Sequence, residues 1–142
     1  MTTNAAENSL HDWLIGFLTR FGATSGTIHL RTSDSDLQLA ASHNIPPQVL
    51  QVVREIPLGK GMAGLAWQRN EPVSTCNLQT DSSGDVRPGA KAVQAQAAVA
   101  LPIHHADEVM GVVGIAFAEQ RSLSEQELAH MAALAESVPR PG

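Results

Sequence analysis

Cysteine is all but missing from this chain. Cys76 stands alone, so no intrachain disulfide can form and nothing points to an oxidising compartment. Aromatic side chains are nearly as scarce, at 4% with no tyrosine. Basic residues are few as well: nine Lys and Arg are scattered among fourteen Asp and Glu, for a net charge of −5. There is no basic run and no aromatic–basic interleaving, which argues against a nucleic-acid surface, where neutralised phosphates dominate affinity. No apolar stretch approaches the ~20 residues of a membrane-spanning helix. The polar start, Met1 to Ser9, lacks the basic-then-apolar order of a signal peptide. A cytoplasmic location without membrane or nucleic-acid partners is therefore the default expectation.

What is present suits a folded domain. Hydrophobic residues make up 43% and charged residues 16% of 142 positions, within the globular range and the size of one domain. Ser9 with Asp12 reads as a weak capping box opening a first helix. Leu10, Trp13, Leu14, Phe17, Leu18 and Phe21 then recur at helical steps until Gly22. From Thr27 the period falls to two. Thr27–Arg31 and Leu37–Ser42 alternate around Ser33-Asp34-Ser35-Asp36, a hairpin signal. Pro46-Pro47 opens a short helix through Val53. Three glycines, Gly59, Gly61 and Gly64, turn the chain into another helix ending near Asn70.

Glu71-Pro72 restarts an extended run, Val73 to Cys76. Asn77 to Gln96 reads as a long polar loop with a short helix around Ala90 to Ala95. Two strands follow, Ala98–Ile103 and Val109–Phe117, joined by a turn from His104 to Glu108. The second is expected to carry Val109, Val113, Ile115 and Phe117 on one side. Gly114 and Ala116, with Met110 and Val112, then fall on the other, leaving room for something to approach. Ser122 with Glu125, or Ser124 with Glu127, caps a last helix ended by Pro139 and Pro141. This order predicts an α+β fold: an antiparallel sheet with the terminal helices on one face and the loop-rich layer on the other.

The punctuation of Leu37–Pro46, of Ile56–Trp67 with its Gly59-Lys60-Gly61-Met62-Ala63-Gly64 core, of Glu71-Pro72-Val73 and of Ala98–Phe117 resembles the GAF family of sensor domains. The resemblance spans nearly the whole chain. It implies a single GAF/PAS-like domain over residues 1–142, with 1–8 a flexible start and 139–142 a tail. It further implies a small-molecule pocket between the sheet and the loop-rich layer, and a homodimer through the N- and C-terminal helices. It names no ligand or cofactor. One enzymatic branch, the free methionine-R-sulfoxide reductases, is similar in its glycine-rich stretch but uses several cysteines. Met62-Ala63 stands where one of them belongs, and Cys76 alone cannot run a disulfide cycle. A sensor without catalysis of its own is therefore expected. The alternatives are a reductase-like enzyme with degenerate cysteines and a ligand-free dimerisation module.

Candidate residues divide by chemistry. Gly59-Lys60 is followed by Gly61 where a P-loop needs Ser or Thr, so the glycines are read as backbone turning rather than a phosphate cradle. His104 and His105, adjacent on an extended chain, cannot easily share a metal and are read as part of a solvated turn; no metal site is expected. His29 lies mid-strand and is best explained as a hydrogen-bonded structural histidine. Cys76 reads as a small buried hydrophobe. Ligand specificity is expected from the polar loop, and the pocket candidates are His29, Thr75, Cys76, Asp81, Asp85, Arg87, Gln94 and Gln96.

Overall fold

The structure, a computed structural model, describes residues 5–75, 96–119 and 121–139. Helix α1 covers Ala5–Phe21. It starts four residues before the expected Ser9 because Ala5-Ala6-Glu7 are strong helix formers that carry it past the weak box. Leu10, Leu14, Phe17 and Leu18 of its apolar stripe are buried. Gly22 ends it in the left-handed region at φ 72°. The Gly22 N–H bonds back to Thr19 O, and the Ala23 N–H to Leu18 O at 2.9 Å, which satisfies carbonyls that the helix leaves free.

Strands β1 (Ser25–Arg31) and β2 (Asp36–His43) form the expected hairpin. Helix α2 (Pro47–Val53) has Pro47 at its first turn. Strand β3 (Glu55–Pro57) was not anticipated; a three-residue strand is too short to show a period. After it come α3 (Gly61–Arg69), β4 (Val73–Thr75), β5 (Ala97–His105), β6 (Glu108–Phe117) and α4 (Glu125–Ala135). The expected short helix around Ala90 to Ala95 lies outside the described residues.

Six strands make one sheet in the order β3-β2-β1-β6-β5-β4. Every neighbouring pair is antiparallel. Both terminal helices lie on one face. Leu10, Leu14, Phe17 and Leu18 of α1 share a buried cluster with Met131 and Ala135 of α4 and with Ile28, Val99, Leu101, Val113 and Ile115 of the sheet. The opposite face belongs to α3, whose Ala66 and Trp67 pack on Leu37, Ile56, Val73, Val109 and Val112. Polar groups tie the terminal helices together. Arg121 donates to Phe21 O at the end of α1 and to Glu127 Oε2 at the start of α4, both at 2.9 Å. Of the two possible capping boxes, the one formed is Ser124 with Glu127. The Arg121 guanidinium, chiefly, holds the Glu127 carboxyl below its ordinary pKa.

Two expectations fail here for local reasons. Val109 does not share a side with Val113, because a bulge between Ile103 and His104 makes Met110 an extra residue on β6. Val109 therefore joins the α3-side cluster, while Met110 packs against the other. The turn from β5 to β6 is also shorter than expected. His105 pairs with Glu108, leaving only Ala106 (φ 53°) and Asp107 (φ 67°) between them, the left-handed pair of a tight hairpin. His104 is no turn residue. Its Nδ1 lies 2.6 Å from Glu136 Oε2 and its Nε2 2.5 Å from Asn70 Oδ1, joining the ends of α3 and α4 around the sheet.

Candidate functional site

The α3 face of the sheet is filled at one end and hollow at the other. Sheet and helix layers sit about 10 Å apart, and large side chains must fill that gap to reach interior packing density. Around Trp67 they do. Toward the start of β1 the inward positions are Ser25, Thr27, Ala98, Ala100, Gly114 and Ala116, which form the floor of a cavity of about 150 Å3. These residues sit beside one another by register: Thr27 pairs with Gly114, Ser25 with Ala116, Ala98 with Ala116 and Ala100 with Gly114. Three adjacent strands thus present their smallest side chains at one place.

The roof comes from two turns. Asn44, in the left-handed region at φ 59°, redirects the chain out of β2 so that Ile45 reaches the cavity. Gly61, Met62 and Ala63, the first residues of α3, complete it. Gly59 (φ 80°) and Gly61 (φ 67°) make the turn into the helix, closed by Gly59 N–H to Gly64 O at 3.0 Å. Gly64 allows the close approach: a Cβ there would stand 2.5 Å from Pro57 O. The backbone-turning role expected of these glycines is what they perform, with Gly61 serving additionally as cavity wall.

Electrostatically the cavity is quiet. Ser25 is 2% exposed, and its Oγ has no hydrogen-bond partner among the described residues. That situation is uncommon for a buried hydroxyl and unfavourable. At the N-terminus of α3 no side chain caps the helix, so its first N–H groups lack intrahelical partners. No described lining residue carries a charge. Among the described residues no group of three His, Cys, Asp or Glu side chains is placed to hold a metal ion.

Of the sequence-derived candidates, His29, Thr75 and Gln96 fall within the described residues. His29 is on the same sheet face but outside the lining, with Nε2–H donating to Val53 O at 2.7 Å. Burial, against the opposing effect of that bond, lowers its pKa to about 4, so the ring is neutral near pH 7. Thr75 pairs with Ala98 on the edge strand and Gln96 bonds Phe117 O through its backbone; neither belongs to the cavity lining. Cys76, Asp81, Asp85, Arg87 and Gln94 lie outside the described residues, as does the loop they were expected to form. The residues that sequence reasoning missed are the small ones on β1 and β5. Their signal was the one noticed only at Gly114 and Ala116: small side chains recurring with period two.

Comparison with known proteins decides the family. The family model of the GAF domain matches residues 9–138. The chain belongs to the GAF domain family. No curated protein matches it. Among solved structures, this GAF domain is similar to the GAF domain of a phosphoenolpyruvate-protein phosphotransferase from Acinetobacter, at 20% identity and a TM-score of 0.71, covering 96% of this chain and 83% of that one. It is also similar to GAF-B of DevS from Mycobacterium smegmatis, at 18% identity, TM-score 0.68, covering 94% and 89%. A free methionine-R-sulfoxide reductase from Neisseria meningitidis, solved with its substrate, matches at 17% identity, TM-score 0.68, covering 96% and 89%. At these identities the likeness speaks for the fold. No described helix is long and apolar enough to cross a membrane.

Proposed function

We propose that this GAF domain is a regulatory module that binds a small molecule in the cavity between β1, β5, β6 and α3, performs no chemistry of its own, and acts through a dimer or partner. One observation carries the reading: three neighbouring strands place Ser25, Thr27, Ala98, Ala100, Gly114 and Ala116 together, so a sheet face that is packed around Trp67 holds a cavity of about 150 Å3 beside it. An unfilled cavity is destabilising in proportion to its volume, and binding offsets that deficit. The non-catalytic part is supported by the single cysteine of the chain and by the absence of charge among the described lining residues. For the homodimer, Trp13, Phe21, Leu128 and Leu134 of α1 and α4 are only partly buried against the helix-side core. Part of that surface is already used within the chain, since Trp13 stacks on Phe17 at 4.8 Å and donates to Ser137 Oγ.

A thermal-shift screen of metabolites against the wild type and Ala98→Leu tests the reading. A ligand at about 100 times its Kd adds about 2.7 kcal/mol, several degrees of Tm for a domain of this size. At least one compound is expected to raise the wild-type Tm and to leave Ala98→Leu, whose cavity is plugged, unmoved. A silent screen, or equal gains in both proteins, overturns the assignment. The same preparation is expected to scatter light as a dimer and to show no turnover of free methionine sulfoxide.

A further inference from the structure

The size and the wall of the cavity together restrict what fits it. A volume of about 150 Å3 equals that of a buried apolar cavity known to take up benzene, and is well below the roughly 300–1,000 Å3 of pockets for larger ligands. The group seated between floor and roof is therefore about the size of one ring. Carbon dominates the wall: Ile45, Met62, Ala63, Ala98, Ala100 and Ala116 offer no side-chain polar atom. A ligand that is mostly polar would lose its water without replacement there.

Three polar features remain, and all can donate: the hydroxyls of Ser25 and Thr27 and the start of α3. Ser25 lines the cavity and is 2% exposed, with an Oγ that has no partner among the described residues. A serine hydroxyl can turn among three rotamers to meet an acceptor. The helical feature is the start of α3, where Gly61, Met62 and Ala63 line the cavity and no described side chain caps the helix. Its first N–H groups, which have no intrahelical partners, point away from the helix and favour an acceptor. The helix end supplies only about half an elementary charge, and no described lining residue is cationic, so a full negative charge would be poorly compensated.

Building on the ligand-binding reading above, we infer that the cavity takes an uncharged, ring-sized, largely apolar molecule carrying one hydrogen-bond acceptor, with the acceptor held by the Ser25 hydroxyl and the first turn of α3. The carbonyl group of a simple aromatic ketone has this chemistry.

Three probes separate the elements of the inference: toluene, acetophenone and benzoate, titrated by ligand-observed NMR into the wild type, Ser25→Ala and Ala98→Leu. Acetophenone is expected to bind the wild type about fivefold more tightly than toluene, the ratio that one net hydrogen bond supplies, and benzoate more weakly than acetophenone. Ser25→Ala should abolish most of that preference while leaving toluene unchanged. The substitution removes an unpartnered buried hydroxyl, so it does not threaten folding. Ala98→Leu should lose both neutral probes. An unchanged acetophenone-to-toluene ratio in Ser25→Ala, with both probes still lost in Ala98→Leu, would overturn the acceptor chemistry and leave the pocket standing. Tighter binding of benzoate would overturn the uncharged class. Binding of the neutral probes unaffected by Ala98→Leu would instead bring down the pocket reading beneath it.

Discussion

Gly64→Ala is expected to cost about 3 kcal/mol or more of folding stability, the largest effect of any single methyl group added along the glycine-rich turn. The reason is a backbone collision. The new Cβ would stand 2.5 Å from Pro57 O and 3.2 Å from Gly59 N, and neither atom belongs to a side chain that can swing away. Relief requires α3 to lift off β3, which also lifts Gly61, Met62 and Ala63 from the cavity. Two neighbours calibrate the result. Gly59→Ala meets only the flexible end of Gln68, at 3.1 Å, but sits at φ 80°, so it should cost about 1–2 kcal/mol from backbone strain alone. Gly16→Ala has nothing within 4 Å and lies inside α1, where alanine is favoured over glycine by about 1 kcal/mol. Urea unfolding of the three variants checks the order. A Gly64→Ala loss smaller than that of Gly59→Ala would contradict the close approach.

Acidification should weaken the fold through His29. Its pKa is about 4 in the folded chain against 6.5 for an unperturbed histidine, because burial penalises the imidazolium. Between these values the unfolded chain binds the extra proton and the folded chain does not, so stability rises with pH across that window. The contribution is complete above 6.5 and is lost as the pH falls toward 4. At 1.36 kcal/mol per pH unit this amounts to about 3 kcal/mol. The Nδ1 of His29, which has no partner among the described residues, is the atom that would have to take up the proton. His29→Gln keeps an N–H for Val53 O but cannot titrate. Its unfolding free energy, measured by urea at intervals from pH 7 to pH 4, is expected to show a slope shallower by most of that amount. A slope equal to the wild type's would refute the role.

Much of this architecture could be read from the residues, because large side chains announce themselves by period. The stripe Leu10-Leu14-Phe17-Leu18 and the alternation through Val113, Ile115 and Phe117 specify which sides are buried, and with them the placement of both terminal helices on one face. Helix boundaries were legible too, because Gly22, Asn70 and a serine–glutamate capping box before α4 act locally, within one helical turn; which of the two possible boxes forms was not. Features that depend on pairing were not. The Met110 bulge exists only because β5 lies beside β6, and β3 is a strand only because β2 offers it an edge. The His104 link joins Asn70 and Glu136 across long stretches of sequence.

The candidate site was the least legible part for the same reason. Sequence attention goes to polar residues, whereas this cavity is built from what is small. Ala98 and Ala100 look like filler until register sets them against Gly114 and Ala116. Ser25 looks like a strand-end residue until its hydroxyl is found buried without a partner among the described residues. The stated candidates Thr75 and Gln96 bracket the segment 76–95, Thr75 on the edge strand β4 and Gln96 just before β5, and neither lines the cavity.

The central claim is that an apolar cavity exists between the small-residue floor and the first turn of α3. Xenon tests it without any assumption about the natural ligand, since it enters dry apolar cavities of this size and ignores polar ones. Crystals of the protein pressurised with xenon are expected to show a xenon atom between Ala98, Ala100, Gly114 and Met62, absent from Ala98→Leu crystals. Side chains closing that space in the wild type, or xenon settling only at other places, would contradict the account.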